Sequence, residues 1–406
     1  MMAATLAQLA ALPELVLTAE NLAGFALAHG YPVAFWRLPD SDESFALIQT
    51  TTGLRYVQQF TPANQSGFAV SGFWPHEKGL LLLQPDLVFK RAGGKVTVVN
   101  ATEAAEKQLL RFLESQKVNT ESELNWHTST VPAGTQATDH TYTALVKKGV
   151  EEIKACRLEK VVLSRFKEVN FPQEKSPIQL WRTLFQAYPN TFASLISVPE
   201  LGTWIGATPE LLLEVQHNRF FKTVALAGTQ KAFDETGECD VVWSQKEIEE
   251  QALVSRYIIN CFKKIRLREY EEKGPRTITA GQVRHLKTTF SVDMQATGFP
   301  DLPGQMLALL HPTSAVGGMP REEALKFIQE NENYNRQLYS GYLGPVNLEG
   351  YSGLFVNLRC LQLVNRKALL YAGAGITQDS DPEKEWLETE LKASVLQRVL
   401  ESLPAS

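Results

Sequence analysis

The chain has 406 residues, of which 44% are hydrophobic and 21% charged, and its formal net charge is −5. This composition is typical of a globular protein with a large apolar core, and nothing in the sequence forms the basic footprint that nucleic-acid binding needs. The four cysteines are far apart in the sequence, which argues against a metal cluster or a disulfide framework and favours a reducing cytoplasm.

The first 140 residues mix helical and strand-like patterns and carry little sign of chemistry. No basic segment precedes the apolar residues at the N-terminus, and no apolar run reaches 18 residues, so we expect neither a signal peptide nor a membrane span. Short strands are predicted at AFWRLP, SFALIQTTT and LLLLQPDLVFK. Residues 116–140 are polar and rich in turn formers, which predicts a linker or a long surface connection.

The pattern changes after residue 140. YTALVKKGVEEIKACRLE has apolar residues at helical spacing, and KVVLSRFKEV is rich in β-branched residues, as strands are. Further strand-like runs, among them ELLLEVQ and LFVNLRCLQLV, are separated by helical patterns such as PREEALKFIQENENY. Strands in runs with helices between them predict an α+β fold with largely antiparallel sheets.

The segment KALLYAGAGI and the helix after it combine small residues with carboxylates. The pattern predicts a strand that runs into a tight loop, where Gly373 and Gly375 would let a ligand approach backbone N–H groups; a plain turn is the alternative. On the following helix, Glu388 and Lys392 are four residues apart and share a face. They form either an exposed ion pair or a metal ligand beside an anion site.

Other single positions allow both a functional and a structural interpretation. Lys160 begins a strand and would act as a base if buried, while Glu210 follows a Thr-Pro turn and would donate a proton inside a cleft. Glu250 lies near the start of an acidic helix and could share a Mg²⁺ ion with a carboxylate of another helix. Arg359 lies in an otherwise apolar strand, where a ligand carboxylate would be a suitable partner. His285 is as easily a structural histidine.

Taken together and in this order, a set of motifs resembles the chorismate-utilising enzymes, most closely their isochorismate synthase branch. The motifs are LEKVVLSR, GATPELLL, ALAGT, VRHLKT, LHPTSAVGGMPREEAL, YSGYLGPV, NLRC and YAGAGI followed by SDPEKEWLETELKA. They span about residues 141 to 400. The resemblance implies one large α+β domain with antiparallel core sheets, outer helices and a central cleft. Residues 1–140 would be the N-terminal part of that fold, and residues 141–406 the chorismate-binding catalytic region.

The resemblance also implies roles for individual residues. Lys160 would activate a water for attack at C2 of chorismate, and Glu210 would protonate the departing C4 hydroxyl. Glu250 and Glu388 would bind Mg²⁺, although the family's histidine-flanked glutamate is replaced here by Glu249-Glu250-Gln251. The substrate would be lined by Thr229, His285, Ala315, Tyr339, Arg359, Gly373, Gly375 and Lys392.

Several alternatives stay open within and outside this family. Relatives that make aminodeoxychorismate have a nucleophilic lysine before Gly-Thr, whereas this chain has Ala227, which favours water as the nucleophile. Anthranilate-type and salicylate-forming activities are further possibilities, and a non-catalytic small-molecule binding member of the fold is a hypothesis of another class. We expect a monomer that acts on chorismate for menaquinone rather than siderophore synthesis.

Overall fold

The computed structural model describes residue 9 and residues 16–115, 124–132, 134–172, 174–231, 233–234, 237–238, 242–280 and 283–403. Within these ranges the helices are α1 (Ala19–Ala28), α2 (Glu103–Ser115), α3 (Asp139–Lys154), α4 (Pro177–Ala187), α5 (Gln245–Lys264), α6 (Leu302–Leu310), α7 (Arg321–Asn331) and α8 (Pro382–Ser402). None of these described helices is long and apolar enough to cross a membrane.

The strands occupy most of the remaining chain. They are β1 (Val33–Arg37), β2 (Ser44–Ile48), β3 (Tyr56–Val57), β4 (Gly67–Ser71), β5 (Leu80–Leu83), β6 (Leu87–Ala92), β7 (Lys95–Ala101), β8 (Lys160–Asn170), β9 (Phe192–Val198), β10 (Gly202–Thr208), β11 (Leu211–Gln216), β12 (Phe220–Lys231), β13 (Phe233–Asp234), β14 (Gly237–Glu238), β15 (Glu271–Ala280), β16 (Val283–Asp293), β17 (Gly318–Met319), β18 (Tyr342–Val346), β19 (Tyr351–Val356), β20 (Cys360–Val364) and β21 (Lys367–Ile376).

Two large antiparallel sheets form the centre of the molecule. In the described part of the chain, sheet A has ten strands in the order β17-β8-β21-β20-β10-β9-β1-β2-β6-β7. Sheet B has nine, in the order β15-β16-β12-β11-β19-β18-β4-β5-β3. Each sheet combines strands from before and after residue 140. The predicted α+β fold with antiparallel sheets is therefore confirmed.

The sheets pack face to face, with helices on their outer faces. Alternate residues of β1 show this directly, because Ala34 and Trp36 face the core between the sheets whereas Val33 and Phe35 face α1, α2, α4 and α8. Trp36 packs against Phe68 of sheet B with their ring centroids 5.1 Å apart. A third core joins sheet B and the β8–β21 end of sheet A to helices α3, α5, α6 and α7. Full burial of side chains of this size contributes about 1.5–3 kcal/mol each.

Two of the predicted strands are each divided between the sheets. The run LLLLQPDLVFK is not one strand. Its first four residues form β5 in sheet B, residues 84–86 form a turn, and the remaining residues begin β6 in sheet A. The strand is interrupted because Pro85 has no N–H to donate to a ladder. The run LFVNLRCLQL likewise passes from β19 to β20. Arg359 therefore lies in a connection with a left-handed backbone (φ 47°), and the prediction that it lies within a strand was wrong.

The predicted linker is only partly covered, since residues 116–123 lie outside the described residues. Residues 124–132 and 134–138 form no helix, and Ser129 makes isolated bridges to residues 200 and 201. Helix α3 then begins at Asp139, where Thr138 and Thr141 form a reciprocal capping box.

Candidate active site

Two short connections carry the chain between the sheets, one from β10 to β11 and the other from β19 to β20. Glu210 lies in the first connection and Arg359 in the second. The connections are joined because the N–H of Ala207 donates to the carbonyl of Arg359 (3.1 Å), and the N–H of Val356 donates to the carbonyl of Glu210 (3.0 Å). Because the chain passes from one sheet to the other at both connections, a carboxyl and a guanidinium lie at the same junction between the sheets.

The carboxyl of Glu210 has an unusual electrostatic environment. Burial raises its pKa to about 7 from its ordinary value of 4.5, although the positive charges of Lys160, Arg359 and Lys392 act in the opposite direction. A carboxyl with this pKa keeps its proton in a large fraction of molecules at neutral pH. Glu210 therefore has the property that a general acid needs.

Lys160 occupies the first position of β8, at the end of sheet A. Its side chain is 15% exposed, and Nζ donates to Oε1 of Glu250 on α5 at 3.1 Å. Gly375 on the neighbouring strand leaves the space for it, since a Cβ at that position would lie 3.0 Å from Cε of Lys160. The sequence placed Lys160 and Glu250 in the same site but did not reveal that they touch.

Glu388 and Lys392 form the predicted ion pair on α8, with 2.7 Å between Lys392 Nζ and Glu388 Oε1. Both side chains are about half exposed, so the pair itself contributes little to stability. Lys392 also donates to the carbonyl oxygen of Gly373 at 2.8 Å. That hydrogen bond directs the ammonium toward the end of β21, where Lys160 also lies.

The two glycines of β21 do not form a loop, contrary to the prediction. Gly373 and Gly375 are strand residues paired with Ser164 and Val162 of β8, and neither has a positive φ. Their small size serves close packing instead. A Cβ at Gly373 would lie 2.9 Å from the hydroxyl oxygen of Tyr339, as one at Gly375 would crowd Lys160.

Tyr339 is buried beneath this strand. Its ring stacks on that of Tyr371, with centroids 5.3 Å apart, and burial raises the pKa of its hydroxyl. Tyr339 therefore presents a neutral hydroxyl to Gly373, which suits a hydrogen-bond donor to an anionic ligand.

His285 and Thr229 lie where β12 and β16 slip in register. Gly228 adopts φ 67° there, and its carbonyl accepts a hydrogen bond from Nδ1–H of His285 (2.9 Å). Burial lowers the pKa of His285, and the nearby charges of Arg359 and Glu250 act on it in opposite directions. The imidazole is thus neutral at neutral pH. Thr229 belongs to β12, but its side chain lies outside the described residues.

Helix α8 is fixed to the strand that begins with Lys160. The buried guanidinium of Arg165 lies 3.7 Å from the ring centroid of Trp386, Nε donates to Oγ1 of Thr389 at 2.7 Å, and Nη2 binds the carboxylate of Glu390. These contacts surround Glu388 in the sequence and so determine its position. Sequence reasoning missed Arg165, although its place in an apolar strand is the same signal that drew attention to Arg359.

The predicted residues with described side chains form one connected group. Lys160 touches Glu250 and lies over Gly375, Lys392 joins Glu388 to Gly373, and Tyr339 packs on Gly373. Arg359 interacts electrostatically with both Glu210 and His285. Ala315 and Glu210 line the same small cavity.

Glu250 and Glu388 are the two carboxylates of this group that remain accessible, at 42% and 46% exposure. Among the described residues, no three or more His, Cys, Asp or Glu side chains come together as a metal-binding cluster. Mg²⁺ needs no such cluster, because it is usually held by one or two carboxylates together with waters and an anionic substrate. Lys160 pairs with Glu250 and Lys392 pairs with Glu388, so each carboxylate already has a positively charged partner. The donor set fits Mg²⁺.

Residues 52–401 match the model of a family described as chorismate binding enzyme. The chain is 26% identical to the isochorismate synthase MenF of Escherichia coli over 94% of its own length and 91% of that protein. It is 28% identical to the isochorismate synthase EntC of the same organism over 64% of its length and 66% of EntC.

Solved structures show the same fold. The menaquinone-specific isochorismate synthase MenF of Escherichia coli superimposes with a TM-score of 0.72 at 23% identity, covering 94% of this chain and 92% of that one. Anthranilate synthase component I of Streptococcus pneumoniae gives a TM-score of 0.65 at 20% identity, with 90% of each chain covered.

Proposed function

The chain belongs to the family of chorismate-binding enzymes, and on this premise we propose that it converts chorismate to isochorismate in a Mg²⁺-dependent reaction. The observation that carries the proposal is the electrostatic interaction of a largely buried lysine, Lys160, with a carboxyl, Glu210, whose pKa burial raises to about 7. An isomerisation that adds one water and expels another needs a base and an acid of this kind. The near full-length similarity to MenF supports the same assignment.

Lys160 and Glu210 divide the proton transfers. In its neutral amine form, Lys160 accepts a proton at Nζ from the water that attacks C2 of the ring, the double bonds shift, and the C4–oxygen bond breaks. Glu210 gives its proton to the departing C4 oxygen, which leaves as water. One water is consumed and one released, so the net change is an isomerisation. Ala227, which precedes Gly228, offers no amine to compete with water at C2.

The carboxylates of chorismate need counter-charges. Arg359 and Lys392 supply positive charge, Tyr339 supplies a neutral hydroxyl, and neutral His285 lines the cleft. Glu250 and Glu388 would hold Mg²⁺, which when bound neutralises a substrate carboxylate. Guanidinium and carboxylate bind in a bidentate manner, which fixes the orientation of the ring as well as its position.

Gly375→Ala tests the placement of Lys160. The new Cβ would lie 3.0 Å from Cε of a flexible side chain, which can move, so we expect the melting temperature to change little. We expect kcat to fall by about tenfold to 10²-fold, because the displaced amino group no longer meets the attacking water. Gly53→Ala is the matched control, since nothing lies within 4 Å of a Cβ there. Equal activity of the two variants would remove the contact between Lys160 and Gly375 from the mechanism.

Glu388→Gln tests the proposed metal ligand. It keeps the side-chain shape but removes the charge, so we expect Mg²⁺ binding measured by calorimetry to weaken by at least about tenfold, with the melting temperature nearly unchanged. Glu330→Gln is the matched control, because Glu330 pairs with Lys326 across one helical turn on exposed α7. Unaltered Mg²⁺ affinity in Glu388→Gln would show that Glu388 is not a ligand.

The similarity to a menaquinone-specific enzyme over almost the whole chain supports menaquinone synthesis as the destination of the product. A monomer is sufficient for the mechanism, because all the residues invoked belong to one chain.

The direct test incubates the purified protein with chorismate, with and without Mg²⁺, and separates the products by chromatography. We expect Mg²⁺-dependent isochorismate with no salicylate or pyruvate. Salicylate with pyruvate would instead assign a lyase activity, and anthranilate formed with added ammonia would assign an aminating one. An unchanged chorismate concentration under all conditions would favour a binding protein.

A further inference from the structure

A small cavity lies beside Glu210, on the side of sheet B that faces α5 and α6. Its volume accessible to the centre of a water molecule is ≈ 20 Å³, and its walls are mainly aliphatic, from Leu212, Val254 and Ile258 among others. A cavity of this size holds one water, which requires about 10–15 Å³ by the same measure. Apolar walls alone would leave such a space dry, so the polar atoms decide what it binds.

Two of the hydroxyls on the cavity wall already have partners. Thr223 donates to the carbonyl of Leu212, and Tyr257 donates to the carbonyl of Leu309, both at 2.7 Å. The hydroxyls of Thr313 and Ser314 differ, because both oxygens are fully buried and have no hydrogen-bond partner among the described residues. A buried hydroxyl without a partner costs free energy that a bound water recovers.

We propose that this cavity binds one structural water. The water is held by the hydroxyls of Thr313 and Ser314 and donates a hydrogen bond to the carboxyl oxygen of Glu210 that lies on the cavity side. Three polar groups of this kind are the usual complement of a buried water. The inference rests on the proposed function, because it assigns the water a part in the proton transfer from Glu210. Thr313 and Ser314 are positioning residues, since they act on the substrate only through the water and Glu210.

The water determines which oxygen of the Glu210 carboxyl carries the proton. By donating to the carboxyl oxygen on the cavity side, the water would keep the acidic proton on the other oxygen, from which it passes to the C4 hydroxyl. When that proton moves to the departing oxygen, Glu210 becomes a carboxylate and its hydrogen bond from the water strengthens. The water therefore stabilises the transition state more than the bound substrate, and its loss should lower kcat while KM stays unchanged.

The first measurement is a crystal structure of the wild-type protein at a resolution that shows ordered waters. We expect one water within hydrogen-bond distance of Glu210, Thr313 and Ser314, and its absence in the Thr313→Val/Ser314→Ala variant. This readout does not depend on turnover, so it separates failure of this inference from failure of the proposed function. A wild-type cavity without a water at that place would overturn the inference.

The second measurement is steady-state kinetics with chorismate. We expect Thr313→Val/Ser314→Ala to lower kcat by about 10- to 100-fold, the range expected for one hydrogen bond to a charged group, with KM unchanged. Thr313→Ser, which keeps the hydroxyl, should retain the wild-type kcat. Thr223→Val is the matched control on the same wall, because its hydroxyl is already satisfied. Equal kcat values in the double variant and the wild type would contradict the role given to the water.

Discussion

Lys160→Ala should lower kcat for the conversion of chorismate to isochorismate by about 10²–10⁴-fold, the usual contribution of a positioned acid or base. Lys160 is the amine that lies over Gly375 at the end of β21, 15% exposed. Alanine removes the proton acceptor without adding bulk, so water can still enter but cannot be deprotonated. The measurement is a product assay at saturating chorismate and Mg²⁺.

A matched substitution separates this effect from the loss of an ion pair. Lys167 lies on the same strand and pairs with Glu390 at 2.8 Å, much as Lys160 pairs with Glu250 at 3.1 Å. Lys167→Ala should keep kcat within about twofold of wild type, because ion pairs that stay partly accessible to solvent contribute about 0–1 kcal/mol. Substantial turnover by Lys160→Ala would remove Lys160 as the base.

Glu210→Gln should lower kcat by a similar factor, about 10²–10⁴-fold, because an amide cannot protonate the C4 oxygen. Wild-type kcat should itself fall as the pH rises through about 7, where Glu210 loses its proton. The variant's residual activity should lack that decline. A Glu210→Gln enzyme with wild-type kcat would exclude the carboxyl as the acid.

The same substitution has a consequence for stability that does not depend on turnover. The pKa of Glu210 is about 7 in the folded protein and 4.5 ordinarily, so ionisation is disfavoured by folding. The stabilising effect of the neutral carboxyl is fully present below pH 4.5 and is lost as the pH rises through about 7. The wild type should therefore lose on the order of 3 kcal/mol of unfolding free energy, relative to Glu210→Gln, across that window.

Urea denaturation of both proteins between pH 4 and 8 measures this difference. Parallel stability curves would show that Glu210 titrates at its ordinary pKa and that its environment in the cleft is not as described. Changes common to both proteins come from other groups and cancel in the comparison.

The architecture followed from the sequence because long apolar runs and helical spacings survive without tertiary information. The points at which the chain passes from one sheet to the other could not be predicted from the sequence. A run such as LFVNLRCLQL alternates in the same way whether it stays in one sheet or passes into another, and only the left-handed backbone at Arg359 distinguishes the two. The passage of the chain between the sheets also brings Arg359 beside Glu210. The feature of the fold that the sequence pattern did not reveal is therefore the one that assembles the site.

The glycines of β21 show a second limit of predicting local structure from sequence. A glycine pair predicts a turn because glycine tolerates left-handed backbone, but it serves a strand equally well when a neighbour needs the space of its Cβ. Gly373 and Gly375 belong to the second kind, and the atoms that need the space are those of Tyr339 and Lys160. Neither contact is local in the sequence. The cavity hydroxyls of Thr313 and Ser314 escaped notice for the same reason.

Oxygen labelling distinguishes attack of water at C2 with departure of the C4 oxygen from migration of the original hydroxyl. The reaction is run in H₂¹⁸O with Mg²⁺, and isochorismate is analysed by mass spectrometry with fragments that locate the label. We expect one ¹⁸O atom in the product, located at C2. Isochorismate without label would mean that the original hydroxyl migrates within the ring, and the division of labour between Lys160 and Glu210 would then be wrong.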